Sequence, residues 1–193
     1  MTKLPDTPLF TIGHGARTIE ELIALLLRYH IDFVVDVRSQ PYSSIRPDFS
    51  KQPLQSHLER ASIRYVFMGD TLGGRPVDQS CYVNGKVDYQ IVASKPFYQA
   101  GIERLSSALD QQLRVALLCS EGKPQECHRS KLIGQTLTDK GIAISHIDEN
   151  GDIKSQGEVM LELTHGQQSM FGPAPVVASS KKKYRTPSRR ESV

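Results

Sequence analysis

Five residues able to do chemistry lie within eleven positions: Cys119, Glu121, Cys127, His128 and Arg129. A thiol becomes a nucleophile when a neighbouring base or dipole lowers its pKa. A carboxylate or imidazole beside it moves protons. A guanidinium grips phosphate or carboxylate with its planar fork. Cys119, Glu121 and His128 are therefore candidate catalytic groups, and Arg129 a candidate anion ligand. The spacing excludes the Cys-x5-Arg phosphatase loop, because position 125 is Gln125. A bland reading stands beside the chemical one: Cys119 also fits as a small apolar residue ending a buried strand. Cys119, Cys127, His128 and His14 make up four zinc-type donors. The seven residues between the cysteines exceed the two to four of a structural zinc knuckle, and adjacent Cys and His seldom point at one metal. The expectation is no metal and no other cofactor, with zinc as the lesser alternative.

More polar groups sit at other punctuation points. His14 occupies the middle of Gly13-His14-Gly15. Asp36 interrupts the apolar run 33–37, and Arg38 follows at once. An inward carboxylate must be paired or functional. Asp36 is thus a further catalytic candidate, or else the ion-pair partner of an arginine. Arg75 follows Gly73-Gly74, a turn through which backbone can approach a phosphate. Tyr42, in a proline-bounded loop, offers a ring on which a base could stack. The candidate ligand-binding set is Arg38, Arg129, Arg75, His14 and Tyr42.

The elements that must position these residues follow from hydrophobic periodicity. Short apolar runs at 9–12, 33–37, 64–67, 115–118 and 142–147 read as strands, the unbroken ones as strands covered on both faces. Apolar stripes at helical spacing lie between them. Ile19, Leu22, Ile23, Leu26 and Leu27 follow Thr18, with Glu21 completing a capping box. Further helices are expected at 54–60, at 97–109, and from His128 to Gly141. The stretch 76–95 is weakly patterned and reads as an insertion or lid. Alternating strands and helices predict a three-layer α/β fold, a mostly parallel Rossmann-like sheet with helices on both faces. Ligands bind such sheets outside the strand carboxyl ends. His14, Arg38, Arg75, Cys119 and Glu121 all follow strand ends, so one common site is expected there.

Composition bounds the function class. No apolar run approaches the length of a membrane span, the first residues lack the apolar core of a signal peptide, and three cysteines argue against a disulfide framework. These features point to the cytoplasm. The net charge of +3 is uneven: residues 166–193 carry six Lys and Arg against one Glu, a net +5, leaving −2 for the rest. The pattern reads as a single α/β domain over 1–165 and a disordered basic tail over 166–193. Within that tail Gln167-Gln168-Ser169-Met170-Phe171 is similar to a bacterial sliding-clamp binding pentapeptide, with Gln167, Met170 and Phe171 as its anchors. The Lys and Arg run beyond it suits phosphates.

Four separated segments together resemble the domain of unknown function 488 family. They are Thr11-Ile-Gly-His-Gly15 with Thr18; Val35-Asp-Val-Arg-Ser39 with Pro41-Tyr42; Met68-Gly69 with Leu72-Gly-Gly-Arg75; and Leu118-Cys-Ser-Glu121 with Pro124 and Cys127-His-Arg129. The collinear resemblance covers about 9–147. It implies a compact cytosolic α/β domain and no particular reaction. The family pattern often continues with two arginines after Pro-Tyr-Ser, where this chain has Ser44, Ile45 and then Arg46. The residues themselves point to an enzyme or ligand-binding domain for a phosphate-containing ligand, a nucleotide or nucleic acid; as an enzyme it would be a hydrolase or transferase. A DNA-associated adaptor working through the tail is one alternative. A thiol or sulfur-transfer protein using Cys119 and Cys127 is another.

Overall fold

The computed structural model describes residues 9–164 and 178–184. The elements in chain order are β1 (Leu9–Gly13), α1 (Ile19–Arg28), β2 (Phe33–Asp36), α2 (Lys51–Arg60), β3 (Arg64–Phe67), β4 (Tyr82–Val83), β5 (Lys86–Val87), α3 (Tyr89–Ser94), α4 (Pro96–Asp110) and β6 (Val115–Cys119). A π-helix (Arg129–Gly134) then leads into α5 (Gln135–Asp139), followed by β7 (Ile144–Ile147), β8 (Ile153–Ser155) and α6 (Gln156–Leu163). No helix among the described residues is long and apolar enough to cross a membrane.

Six strands form one sheet in the order β3-β2-β6-β1-β7-β8. The first five are parallel; β8 pairs antiparallel with β7. Side-chain alternation divides the core into two layers. On β6, Val115, Leu117 and Cys119 face the side covered by α3, α4 and the π-helix, whereas Ala116 and Leu118 face α1 and α2. The result is the expected three-layer α/β architecture. β1 and β6 are neighbours, yet the chain leaves β1 for α1 on one face and leaves β6 for the π-helix on the other. The same reversal separates β6 from its other neighbour β2, which leads to α2, and the cavity lies at the carboxyl ends of β2 and β6, where α/β sheets hold ligands.

Local chemistry explains most boundaries. Thr18 and Glu21 form the reciprocal capping box: the Thr18 side chain accepts from Glu21 N at 3.2 Å, and Glu21 accepts from Thr18 N at 2.8 Å. Ser155 and Glu158 repeat the motif at the start of α6. The structure departs from the sequence reading in four places. β8 and α6 follow the last expected strand, where no element was expected. The stretch 76–95 holds the β4–β5 hairpin and α3. The hairpin turns at Asn84 and Gly85, both with positive φ (51° and 77°), the geometry that favours Asn-Gly. The segment after Cys127 begins as a π-helix in place of an ordinary α-helix. The Ser130 hydroxyl, which donates to the Pro124 and Cys127 carbonyls, ties this wide turn to the preceding loop. Finally, 178–184, within the tail expected to be disordered, packs on the hairpin. Ser180 N donates to the Val87 carbonyl at 2.9 Å, Tyr184 N to the Gly85 carbonyl at 2.8 Å, and Tyr89 N to the Ala178 carbonyl at 2.8 Å. Backbone pairing and the packing of Tyr184 against the core recruit this segment despite its charge. The clamp-like residues Gln167, Met170 and Phe171 lie outside the described residues.

A polar chain crosses the core between β1 and α6. Thr11 Oγ1 and His146 Nδ1 are 2.7 Å apart, His146 Nε2 and Gln156 Oε1 are 2.7 Å apart, and Gln156 Nε2 donates to the Ser130 carbonyl at 3.0 Å. Burial pushes the His146 pKa down to about 4, from an ordinary 6.5. The unfolded chain therefore binds this proton more tightly, and folding stability falls as pH drops from 6.5 towards 4. The full effect of this histidine is about 3 kcal/mol, at ~1.4 kcal/mol per pKa unit. Urea unfolding between pH 7.5 and 4.5 is expected to show that slope, and His146→Gln should reduce it, leaving the part due to His14, whose pKa burial also lowers to about 4.

Candidate functional site

The carboxyl ends of β2 and β6 open into a cavity of about 510 Å³. Cys119, Glu121 and His128 stand on its inner wall. Arg38, Arg75 and Tyr42 stand on another side, and Lys181 and Lys182 come from the returning tail segment. The pocket therefore joins the strand ends to two elements remote in sequence.

Cys119 is the last residue of β6, and its sulfur donates to Glu121 Oε2 at 3.0 Å. His128 Nδ1 lies 3.7 Å from the Cys119 sulfur and 3.6 Å from the Cys127 sulfur. The two sulfurs lie within 4.8 Å of one another. Arg129 N donates to Cys127 Sγ at 3.4 Å. The neighbouring Cys127 sulfur, with burial, raises the Cys119 pKa. Burial works against ionising Cys127, but Cys119, His128 and Arg129 overcome it and pull the Cys127 pKa down. Burial would likewise lower the His128 pKa; the Cys127 sulfur and Glu121 reverse that and raise it. His128 Nε2 is shielded from solvent and has no partner among the described residues.

Close backbone approaches hold the cluster. Gly74 packs on the face of His128, so that a Cβ there would meet its ring at 2.8 Å. A Cβ on Gly13 would overlap the Glu121 carbonyl. Only glycine lets β1 end against the loop that presents Glu121.

Several sequence expectations change at this point. Arg129 is wholly buried, and it braces the loop where an open anion ligand was expected. Its Nη1 donates to the Glu121 carbonyl and its Nη2 to the Gly122 carbonyl at 2.8 Å. Burial under the sheet edge puts it out of the pocket's reach. Asp36 is also fully buried. It accepts from Arg38 Nε at 2.9 Å, Arg38 Nη2 at 2.6 Å and Tyr65 Oη at 2.8 Å, the arginine pairing offered for it beside the catalytic reading. Arg38 reaches the pocket wall, but with its charge matched by Asp36 and its Nη1 bound to the Phe49 carbonyl at 2.8 Å. His14 is turned away. Its ring stacks on Phe49 at 4.5 Å, and burial together with Arg38 pushes its pKa down to about 4. Tyr42 and Arg75 are exposed and line the cavity, and Arg75 lies over the Tyr184 ring at 4.5 Å.

The sequence reading did not select Tyr89, Glu126, Lys181, Lys182 or Tyr184, all of which line the cavity. The signal for Tyr89 was present. Asn84-Gly85 marks a hairpin, and Asp88 then caps α3 by accepting from Gln90 N and Ile91 N at 2.9 and 3.0 Å. The tail residues carried a basic run but nothing to show where it would dock.

The fold and pocket define a three-layer α/β protein with a thiol–imidazole–carboxylate cluster at the sheet's carboxyl edge. A family model described as "Domain of unknown function DUF488" matches residues 18–135, and the chain belongs to that family. No curated protein and no solved structure matches it.

Replacing Arg129 by Met should remove two charge-assisted bonds to loop carbonyls and cost about 3 kcal/mol of unfolding free energy. Arg75→Ala, on the exposed wall, should stay within roughly 0.5 kcal/mol of wild type. Urea denaturation of both variants checks the contrast; equal losses would contradict the bracing role of Arg129.

Proposed function

We propose that the chain is an enzyme that binds a phosphate-containing ligand, a nucleotide or a segment of nucleic acid, in the pocket and acts on it through the cluster beneath. The observation that carries this reading is the convergence of Arg75, Lys181 and Lys182 on one polar cavity whose inner wall is Cys119, Glu121 and His128. Arg38 is already matched by Asp36. Among the described residues the other three cations face only Glu121 and Glu126 as lining carboxylates, so the walls favour an anion. Long cationic side chains at an open mouth suit phosphate oxygens, and the exposed Tyr42 ring beside them suits a base. Glu121, already accepting from Cys119, is the group placed to take a proton from whatever lies over the cluster.

Isothermal titration with nucleoside mono- and diphosphates and with short single-stranded DNA tests this. Wild type is expected to bind at least one of them, with affinity falling as salt rises. Lys181→Ala/Lys182→Ala and Arg75→Ala should each weaken binding roughly tenfold or more, as loss of a charge-assisted bond implies. Absence of binding by well-folded wild type, or full binding by these variants, would overturn the assignment.

A further inference from the structure

We infer that Cys119, Cys127 and His128 form a zinc site whose open fourth position faces the pocket. The inference deepens the function proposed above by naming the group that would do the chemistry. It starts from convergence: the two sulfurs and a ring nitrogen of His128 all lie within 4.8 Å of one another. In a tetrahedral site with Zn–S of about 2.3 Å and Zn–N of about 2.0–2.1 Å, sulfur and nitrogen are separated by roughly 3.5–3.6 Å. Here Nδ1 is 3.6 Å from one sulfur and 3.7 Å from the other. The separations fit one ion between three donors.

Adjacent Cys and His seldom share a metal because successive side chains usually diverge. At 127–128 the chain passes from extended backbone (Cys127 φ −108°, ψ 150°) into a helical conformation (His128 φ −64°, ψ −20°). That corner brings Sγ and Nδ1 to one point. The packing of Gly74 against the ring then fixes its orientation. The backbone N–H of Arg129 donates to Cys127 Sγ, a contact that stabilises thiolate charge, as outer hydrogen bonds do in metal sites.

Two cysteines and one histidine are a ligand set of catalytic zinc, which keeps its fourth position for water or substrate. Cys119 and His128 line the cavity, so that position opens into it. Glu121 stands beside it, its Oε2 3.0 Å from Cys119 Sγ. Zinc brings the pKa of a bound water to about 7. Glu121 takes one proton from that water, the hydroxide adds to the electrophilic centre of the anionic ligand, and the proton passes to the departing group. The sum is hydrolysis and needs no oxidant or second substrate.

The full chain, purified without chelator, should contain one zinc per chain by plasma mass spectrometry. Cys119→Ser, Cys127→Ser and His128→Gln should each lower that content roughly tenfold or more, since each removes one of three protein ligands. Cys81→Ser, at a buried cysteine elsewhere in the core, should not. Cobalt(II) added to stripped wild type should give the ligand-field and thiolate charge-transfer bands of a tetrahedral site, a readout independent of how any variant folds. A folded wild type that takes up neither zinc nor cobalt, or whose Cys119 and Cys127 alkylate rapidly with zinc present, would overturn the site and favour thiol or sulfur-transfer chemistry. Anion titration of the zinc-free chain separates the two proposals. Anion binding without metal uptake would sink this inference alone; metal uptake without anion binding would sink the ligand assignment alone.

Discussion

A guanidinium buried beneath the sheet edge holds the site in place. Arg129 binds the carbonyls of Glu121 and Gly122, and these are the residues at which the chain turns away from β6. A charge this deep is costly unless its donors meet acceptors; the two carbonyls meet the Nη donors, while Nε is buried without a partner among the described residues, so the loop has little freedom to move without stranding the rest. Gly13 belongs to the same arrangement, since the Glu121 carbonyl occupies the space a side chain would fill. Through these contacts the position of Glu121 is set by β1 on one side and by the start of the π-helix on the other. Cys127 and His128, the two residues before Arg129, are fixed by the same anchor.

A second constraint shapes the opposite wall. Asp36 ends β2 with no exposure to solvent and satisfies Arg38 in bidentate fashion, with Tyr65 as a third donor. Burial works against the Arg38 charge, but Asp36 outweighs it and raises the Arg38 pKa above its ordinary value. The ion pair braces the wall and leaves little net charge there. The unmatched positive charge comes from Arg75, Lys181 and Lys182, on segments far from the sheet core. The thiol, carboxylate and imidazole thus sit at the end of β6 and in the segment that follows it, and the cations on peripheral segments. The Arg75 guanidinium over Tyr184 ties the two peripheral segments together.

The fold was largely legible because its signals are local. Apolar runs, a capping box at Thr18 and a helical stripe after it are written in contiguous residues, and the resulting order of strands and helices restricts the sheet to few topologies. The cluster at Cys119, Glu121, Cys127 and His128 was legible too, since it lies along one short segment. The functions of the arginines were not. Whether an arginine after a strand reaches solvent or turns under the sheet depends on neighbours such as Gly13, which lies over a hundred residues from Arg129. The direction of His14, stacked on Phe49 and away from the cavity, depends likewise on a loop distant in sequence.

By itself, then, the sequence determined the layers, the edge of the sheet at which polar side chains gather, and the residue types gathered there, because periodicity and strand-end placement act over a few residues. Tertiary structure alone decided which of those residues meet. The corner at 127–128 brought an imidazole and two sulfurs to one point, the backbone of 178–184 paired with the hairpin and carried two lysines to the pocket, and burial turned Asp36 and Arg129 from candidates for chemistry into supports. The reason is physical. A polar side chain takes the partner that best offsets its desolvation, and that partner is set by distances across the fold, which residue spacing along the chain does not encode.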